Sequence, residues 1–298
     1  MRPPKDLVYS RLVELYKKYP PEDWRWIVSY SGGKDSSALL NCILEFSEKR
    51  NFSFEVLHHN TGVEYPIMEQ HVNKVICKLR KRDIEVHITH PKKHFFEYMI
   101  ENNYTFPRWN FRWCCRLLKW QPTTEFFEKQ QGKILNLIAI RGDENTRPKL
   151  FIRPHGVKYM RKSLGNVVVA SPLVDLTIND VWMLCGSVKR LYIEDQVRFG
   201  CWVCTVASSK TLAYFHPDLF KIKYELVEAR CKGLLEFISI LEKYKDALGI
   251  NLNNSIKIKN IDRPNRCNKR CDICQINKWK KQSRELLNSI SIPIIYSN

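Results

Sequence analysis

The sequence predicts an α/β fold: a doubly wound, mostly parallel sheet followed by a smaller, mainly helical, cysteine-containing C-terminal region. Three observations predict it. Short runs rich in β-formers alternate with amphipathic segments through about residue 190, the pattern of a parallel sheet covered on both faces. The first such run leads directly into a glycine loop and a helix, Ser31-Gly32-Gly33-Lys34-Asp35-Ser36. Past residue 190 the alternation stops and the chain turns polar, basic and cysteine-rich, so residues 1–190 are expected to form one domain and 191–298 a basic C-terminal region.

In order along the chain, Leu7, Val8, Leu12, Val13 and Leu15 space out an amphipathic helix over 5–18, stopped by Pro20-Pro21. Trp24 to Tyr30 reads as a buried strand. The glycine loop follows, then a helix over 36–49, a strand over 53–58, and a helix over 66–82 that opens on Pro66. A third strand is expected over 84–88 and a helix over 93–102. Residues 103–113 read as an aromatic loop, Cys114 to Gln130 as a helix, and 134–140 as a continuous apolar strand. Residues 141–165, with Gly142, Pro148, Pro154 and Gly156, read as a long functional loop. A strand over 167–170 and a helix capped by Thr177, with Asp180 three residues on, complete the alternation. Residues 217–246 read as helical.

The net charge of +18 implies attraction to polyanions, because neutralised phosphates release counterions. Hydrophobic residues at 44 % and charged residues at 27 % are ordinary for a globular chain. With no apolar run of about 18 residues and no signal-peptide core at Met1-Arg2-Pro3-Pro4, a cytoplasmic protein without membrane contact is expected. In that reducing setting, 11 cysteines point to metal or redox chemistry rather than disulfides.

The glycine loop suits a phosphate chain. Two glycines let the backbone approach a ligand, and the following helix offers free N–H groups and a positive dipole end. Lys34 adds charge, and Ser31 and Ser36 add hydroxyl donors. The spacing is not that of a Walker loop.

Ser31 to Ser36 resembles the signature of the PP-loop ATP pyrophosphatases, whose fold is adenine nucleotide alpha-hydrolase-like. Asn60-Thr61-Gly62, Trp113-Cys114-Cys115-Arg116-Leu117-Leu118-Lys119, Arg141-Gly142-Asp143-Glu144-Asn145-Thr146-Arg147, and Pro172-Leu173 with Asp180-Val181-Trp182 make it similar to the phosphoadenylyl-sulfate (PAPS) reductase-like branch. The resemblance implies an adenine nucleotide, ATP or adenylyl sulfate, bound at the strands' carboxyl ends by Ser31 to Ser36, Asn60, Thr61, Gly62, Arg141 and Gly142. It implies catalytic roles for Lys34, Asp35, Arg141 and Arg147, the arginines gripping the phosphate or sulfate end. Mg2+ would accompany the nucleotide. The family usually carries Asp before Thr-Gly, and Asn60 departs from that pattern. His58 and His59, just before it, read as a strand end without chemistry.

Cys114-Cys115 and Cys201-x-x-Cys204 could bring four thiolates to one centre, suited to a [4Fe–4S] cluster or to zinc. They resemble the cluster ligands of the adenylyl-sulfate-reducing branch, which implies iron–sulfur, with zinc as the alternative and Phe199 and Trp202 as shields. Cys267, Cys271 and Cys274 have radical-SAM spacing but lie late in the sequence, where a zinc knuckle with Cys231, or a thiol relay, fits better. Cys42, Cys77 and Cys185 read as core residues.

The segment Arg198 to Val206 resembles the PAPS-reductase-like component of DNA phosphorothioation systems. With the basic charge it implies a sulfur-transfer enzyme acting on nucleic acid, DNA or tRNA, fed by a donor such as a cysteine desulfurase. The alternatives are a sulfonucleotide reductase, although no Glu-Cys-Gly-(Leu/Ile)-His tail is present, and a non-catalytic nucleic-acid-binding module with a structural metal.

Overall fold

The computed structural model describes residues 3–108, 111–143, 157–159, 166–192, 199–205 and 210–250. They form two compact units: Met1–Asn60, Pro66–His90 and Lys119–Tyr192, and Thr61–Tyr65, Pro91–Leu118 and Ile193–Asn298.

The first unit is built on strands β1 (Trp24–Tyr30), β2 (Glu55–His59), β3 (Val86–Thr89), β4 (Lys133–Leu137), β5 (Val157–Tyr159) and β6 (Val167–Ala170). Their order is β3-β2-β1-β4-β6-β5, parallel except for β5, which runs antiparallel to β6. β5 lies inside the segment expected to be all loop, which corrects that expectation. Three residues at a sheet edge leave too short a pattern to read. The order reverses between β1 and β4, so the carboxyl end of β1 is the topological switch point at which such sheets bind ligands.

Alternation along β1 sends Trp26 and Ile27 to opposite faces. Trp26 packs edge-on against Tyr16 of helix α1 (Pro4–Lys18) and donates its indole N–H to the Tyr19 carbonyl at 2.8 Å. Phe46 of α2 (Lys34–Arg50) contacts Tyr16 as well. Ile27, Leu57, Ile134 and Val167 instead gather around Phe127 of α6 (Gln121–Glu128). Both faces are therefore covered, and the strands are buried on both sides as a parallel sheet requires. In α3 (Pro66–Arg80) the buried stripe is Met68, Val72, Ile76 and Leu79. Cys77 lies one residue, roughly 100°, off that stripe and is exposed, which corrects its placement in the core, while Cys42 and Cys185 are buried. Thr177 and Asp180 form the expected capping box at α7 (Ile178–Leu184).

The second unit packs α4 (Phe95–Glu101), α5 (Trp113–Cys115), α8 (Lys210–Phe215), α9 (Pro217–Lys232) and α10 (Leu234–Lys243). Its core holds Phe95, Phe96, Phe106, Trp113, Phe220 and Phe237. The single helix expected over 217–246 is two helices parted at Gly233. The helix expected from Cys114 to Gln130 is interrupted by a π turn at Arg116–Trp120. Pro122, at the start of α6, has no N–H with which to continue the ladder, so the chain leaves α-helical register just before it. Among the described residues no helix is long and apolar enough to cross a membrane.

Candidate functional site

The loop between β1 and α2 is held by its own hydroxyls. Ser36 Oγ donates to the Gly33 carbonyl at 3.0 Å, which spends its one proton. Ser36 Oγ therefore accepts from the Ser31 amide at 3.2 Å and from the Ser31 hydroxyl at 3.0 Å, and Gly33 N–H donates to Ser31 Oγ at 3.4 Å. Gly32 sits at φ +81°, and a Cβ there would stand 2.4 Å from Val72 Cγ2. Position 32 is thus closed to any side chain twice over, by backbone and by space. Gly33 caps α2 with no side-chain hydrogen bond, leaving the helix entrance to main-chain donors.

Behind the loop lies a chain of charges. Lys34 is 1 % exposed; its Nζ is 2.6 Å from Asp35 Oδ2 and 5.6 Å from the centre of the Trp182 ring. The other Asp35 oxygen accepts from Arg141, which is also buried and donates through Nε to Asp143 at 2.8 Å. The second Asp143 oxygen accepts the Ile178 amide at 3.0 Å, at the first turn of α7. Gly142 N–H donates to the Val174 carbonyl at 2.8 Å, so close that a Cβ would meet the same oxygen at 2.8 Å. Lys34, Asp35 and Arg141, expected to serve the nucleotide, therefore form one network, and Gly142 is pinned separately to Val174, whereas Arg147 lies outside the described residues.

Tyr192 was not legible as a site residue. Its hydroxyl accepts the Lys34 amide at 2.9 Å, and burial pushes its pKa up to about 12, so it stays protonated beside the loop.

At the end of β2, Asn60 N–H donates to the Thr89 carbonyl at 3.0 Å, prolonging the pairing with β3. His58 Nδ1 lies 2.9 Å from the Tyr30 carbonyl and so carries the proton. Thr123 Oγ donates to Lys119 O at 2.6 Å and must accept from His59 Nε2 at 3.0 Å, while His59 Nδ1 accepts from Thr89 Oγ. The imidazole is neutral, and burial, with the charges of His58 and Lys119, pushes its pKa down to about 4.

The second unit holds Thr61, Gly62 and the four cysteines. Segment 61–65 is the bed on which the 199–204 turn lies: Trp202 N–H donates to Val63 O at 2.9 Å, Phe199 packs edge-on to Tyr65, and Thr61 Oγ is 3.8 Å from Cys201 Sγ. Thr61 also donates its amide and hydroxyl to Glu64 Oε1 at 3.0 and 2.6 Å. Cys204 N–H closes the turn onto Cys201 O at 2.9 Å. Trp113 stacks on Phe95 at 4.9 Å and donates to Thr105 O at 3.0 Å, anchoring Cys114 and Cys115. Cys114 is pushed well above the usual thiol range by its hydrogen bond with Cys115, by burial and by the charges of Cys115, Cys201 and Cys204. The charges of the other three cysteines thus reach Cys114, and holding it as a thiolate calls for a cation nearby.

Among the described residues, the one group of three or more His, Cys, Asp or Glu donors within 4.8 Å of one another is Glu55, Glu85 and His87. The donor set, four soft thiols in a partly buried setting, fits an iron–sulfur cluster. Arg25 forks onto Glu55 at 2.7 and 2.8 Å, and His87 Nε2 lies 2.6 Å from the same carboxylate, a ladder across β1, β2 and β3.

Sequence reasoning also missed Lys223, on α9. It is fully buried and donates to the Cys204 carbonyl at 2.7 Å. The readable signal was its position on the apolar stripe of the helix with Phe220 and Val227. Cys231, weighed as a fourth knuckle ligand, is exposed, and Cys267, Cys271 and Cys274 lie outside the described residues.

An uncharacterized protein of Methanocaldococcus jannaschii is 27 % identical over 190 residues, 60 % of this chain but 35 % of that protein, so the chain spans about a third of its relative's length. Solved structures include a PAPS reductase of Candida auris in a phosphate complex, with 13 % identity, 67 % and 89 % of the two chains covered and a TM-score of 0.43. Another is the U34-tRNA thiolase NcsA of Methanococcus maripaludis with its [4Fe-4S] cluster, with 15 % identity, 91 % and 86 % covered and a TM-score of 0.42. Residues 25–207, well over half of the chain, match the phosphoadenosine phosphosulfate reductase domain, and the chain belongs to that family.

Proposed function

We propose that this protein is a nucleotide-dependent sulfurtransferase of the PAPS reductase-like family, binding ATP through the Ser31 to Ser36 loop and modifying nucleic acid with sulfur. The observation that carries the reading is the joint presence, in one family-matched stretch, of a phosphate loop at the sheet's switch point and four cysteines acting on one another. Main-chain N–H groups at the α2 entrance bind the phosphates, and the Tyr192 hydroxyl, accepting the Lys34 amide, holds the first turn of α2 in place. Lys34 and Arg141, neutralised in part by Asp35, offset charge on the departing pyrophosphate. The acceptor oxygen attacks the α-phosphorus, displaces pyrophosphate and becomes adenylated; sulfide then attacks the acceptor atom that bears this oxygen, and the new bond to that atom forms as AMP leaves with the oxygen. Cys114, Cys115, Cys201 and Cys204 would hold an iron–sulfur cluster, which supplies electrons or sulfide when bound. Mg2+ would pair with the phosphates, and a cysteine desulfurase would supply the sulfur as a persulfide, from which a pair of thiols releases sulfide by becoming a disulfide.

Calorimetry on anaerobically purified protein tests this. ATP is expected to bind more tightly than adenylyl sulfate or its 3′-phosphorylated form, and Lys34→Ala to abolish binding while circular dichroism stays unchanged. Preference for a sulfonucleotide would make the protein a reductase; binding of none of the three would leave a non-catalytic nucleic-acid-binding module.

A further inference from the structure

Of the tryptophans among the described residues, Trp120 alone is exposed, with 68 % of its surface open to solvent. A single exposed apolar residue ordinarily needs no explanation; Trp120 differs in where it stands. It closes the π turn Arg116–Trp120, and turns of that kind recur at functional sites. Leu118 and Pro122, two residues to either side, are buried, so the indole is carried on the opposite face of the turn. The Lys119 carbonyl accepts from Thr123 Oγ at 2.6 Å, and Thr123 Oγ accepts from His59 Nε2 at 3.0 Å. His59 ends β2, the neighbour of β1, so Trp120 stands at the carboxyl ends of the strands, where such sheets bind ligands. Lys119 is exposed as well, and puts a cation beside the ring.

We propose that Trp120 is a stacking platform for an unpaired base of the nucleic acid that this protein modifies, with Lys119 beside it to attract the backbone phosphates. The inference rests on the nucleic-acid reading above. An indole has few rotamers and a large flat face, so holding a base against it costs little ordering. Every base has a matching face, so the contact tolerates any sequence. A base inside a duplex is already sandwiched between its neighbours and would have to leave the stack to reach the ring. The occupant is therefore a single strand or a loop, and not an intact duplex. The net charge of +18 draws in any polyanion; the ring is what tells an unpaired strand from a paired one.

The test uses the full chain, purified without oxygen as wild type, Trp120→Ala, Trp120→Leu and Trp120→Phe. Binding of short fluorescein-labelled oligothymidylate and oligouridylate, and of a labelled DNA duplex, is followed by fluorescence anisotropy, and ATP binding by calorimetry. Trp120→Ala is expected to bind both single strands about tenfold more weakly, within what one base stacked on an aromatic ring supplies, and to bind the duplex and ATP as wild type does. Trp120→Phe, which keeps a flat ring, is expected to recover most of the loss. Trp120→Leu, apolar but without a flat face, is expected to bind single strands as weakly as Trp120→Ala; binding at the level of Trp120→Phe would make the contact merely greasy and overturns the proposal. Unchanged single-strand binding by Trp120→Ala overturns it, and so does an equal loss on the duplex. Loss of ATP affinity in Trp120→Ala assigns the ring to the adenine of the nucleotide and overturns it as well. Wild-type protein that binds ATP but no nucleic acid overturns the nucleic-acid reading and this inference together, whereas wild type that binds only the duplex overturns this inference alone.

Discussion

The Arg141 guanidinium donates to the Asp35 carboxylate, tying the segment after β4 to the first turn of α2. Because Lys34 holds the other oxygen, Asp35 bridges two buried cations. Asp35→Ala is expected to cost about 3–5 kcal/mol, since it removes the carboxylate that both buried cations share. Arg141→Ala should cost less, because Asp35 keeps Lys34 and Asp143 is partly exposed. Urea denaturation checks the order; equal losses would mean that the two cations do not share the carboxylate.

Gly32→Ala meets two obstacles, the positive φ and the Val72 methyl 2.4 Å from the new Cβ. A destabilisation of about 1–3 kcal/mol is expected, together with weakened ATP binding. Adding Val72→Ala should recover the steric part and leave the backbone part. Full recovery in the double variant would show that the loop's left-handed turn costs nothing to an L-residue.

Cys115→Ala and Cys201→Ala are each expected to abolish a broad absorbance near roughly 400 nm, the thiolate-to-iron signature of a cluster. Absorption spectra and iron analysis of anaerobic protein decide it. A preparation holding one zinc and no iron would remove the redox reading.

His59 makes stability pH-dependent. Its folded pKa is pushed down to about 4 by burial, against about 6.5 in an unfolded chain. Between those values the unfolded chain takes up a proton that the folded one refuses, so stability rises with pH. The contribution, about 3 kcal/mol at most, is fully present above pH 6.5 and is lost as pH falls through 4. Denaturation midpoints of wild type and His59→Gln, measured from pH 7 to 4, should converge as pH falls; parallel curves would refute the assignment.

The parallel strands and the loop were legible because both rest on local chemistry. β1 and β6 have the bounds expected from their apolar runs, and Thr177 with Asp180 makes the capping box its spacing announced. What stayed hidden depends on long-range contact. Nothing near Tyr192 in sequence says that its hydroxyl meets Lys34, 158 residues away. Thr61 reads as part of a nucleotide motif, yet it lies beside Cys201, 140 residues on. The π turn escaped a periodicity reading because Pro122 acts on the turn that precedes it.

The Val72 methyl beneath Gly32 has a kinetic meaning. Once α3 has docked, the Val72 methyl fills the space a side chain at position 32 would take, so the loop backbone packs directly on that helix and its ordering belongs to folding and not to the encounter with a ligand. Association should then be a single bimolecular phase, its rate linear in nucleotide concentration and its affinity set by how fast phosphate leaves.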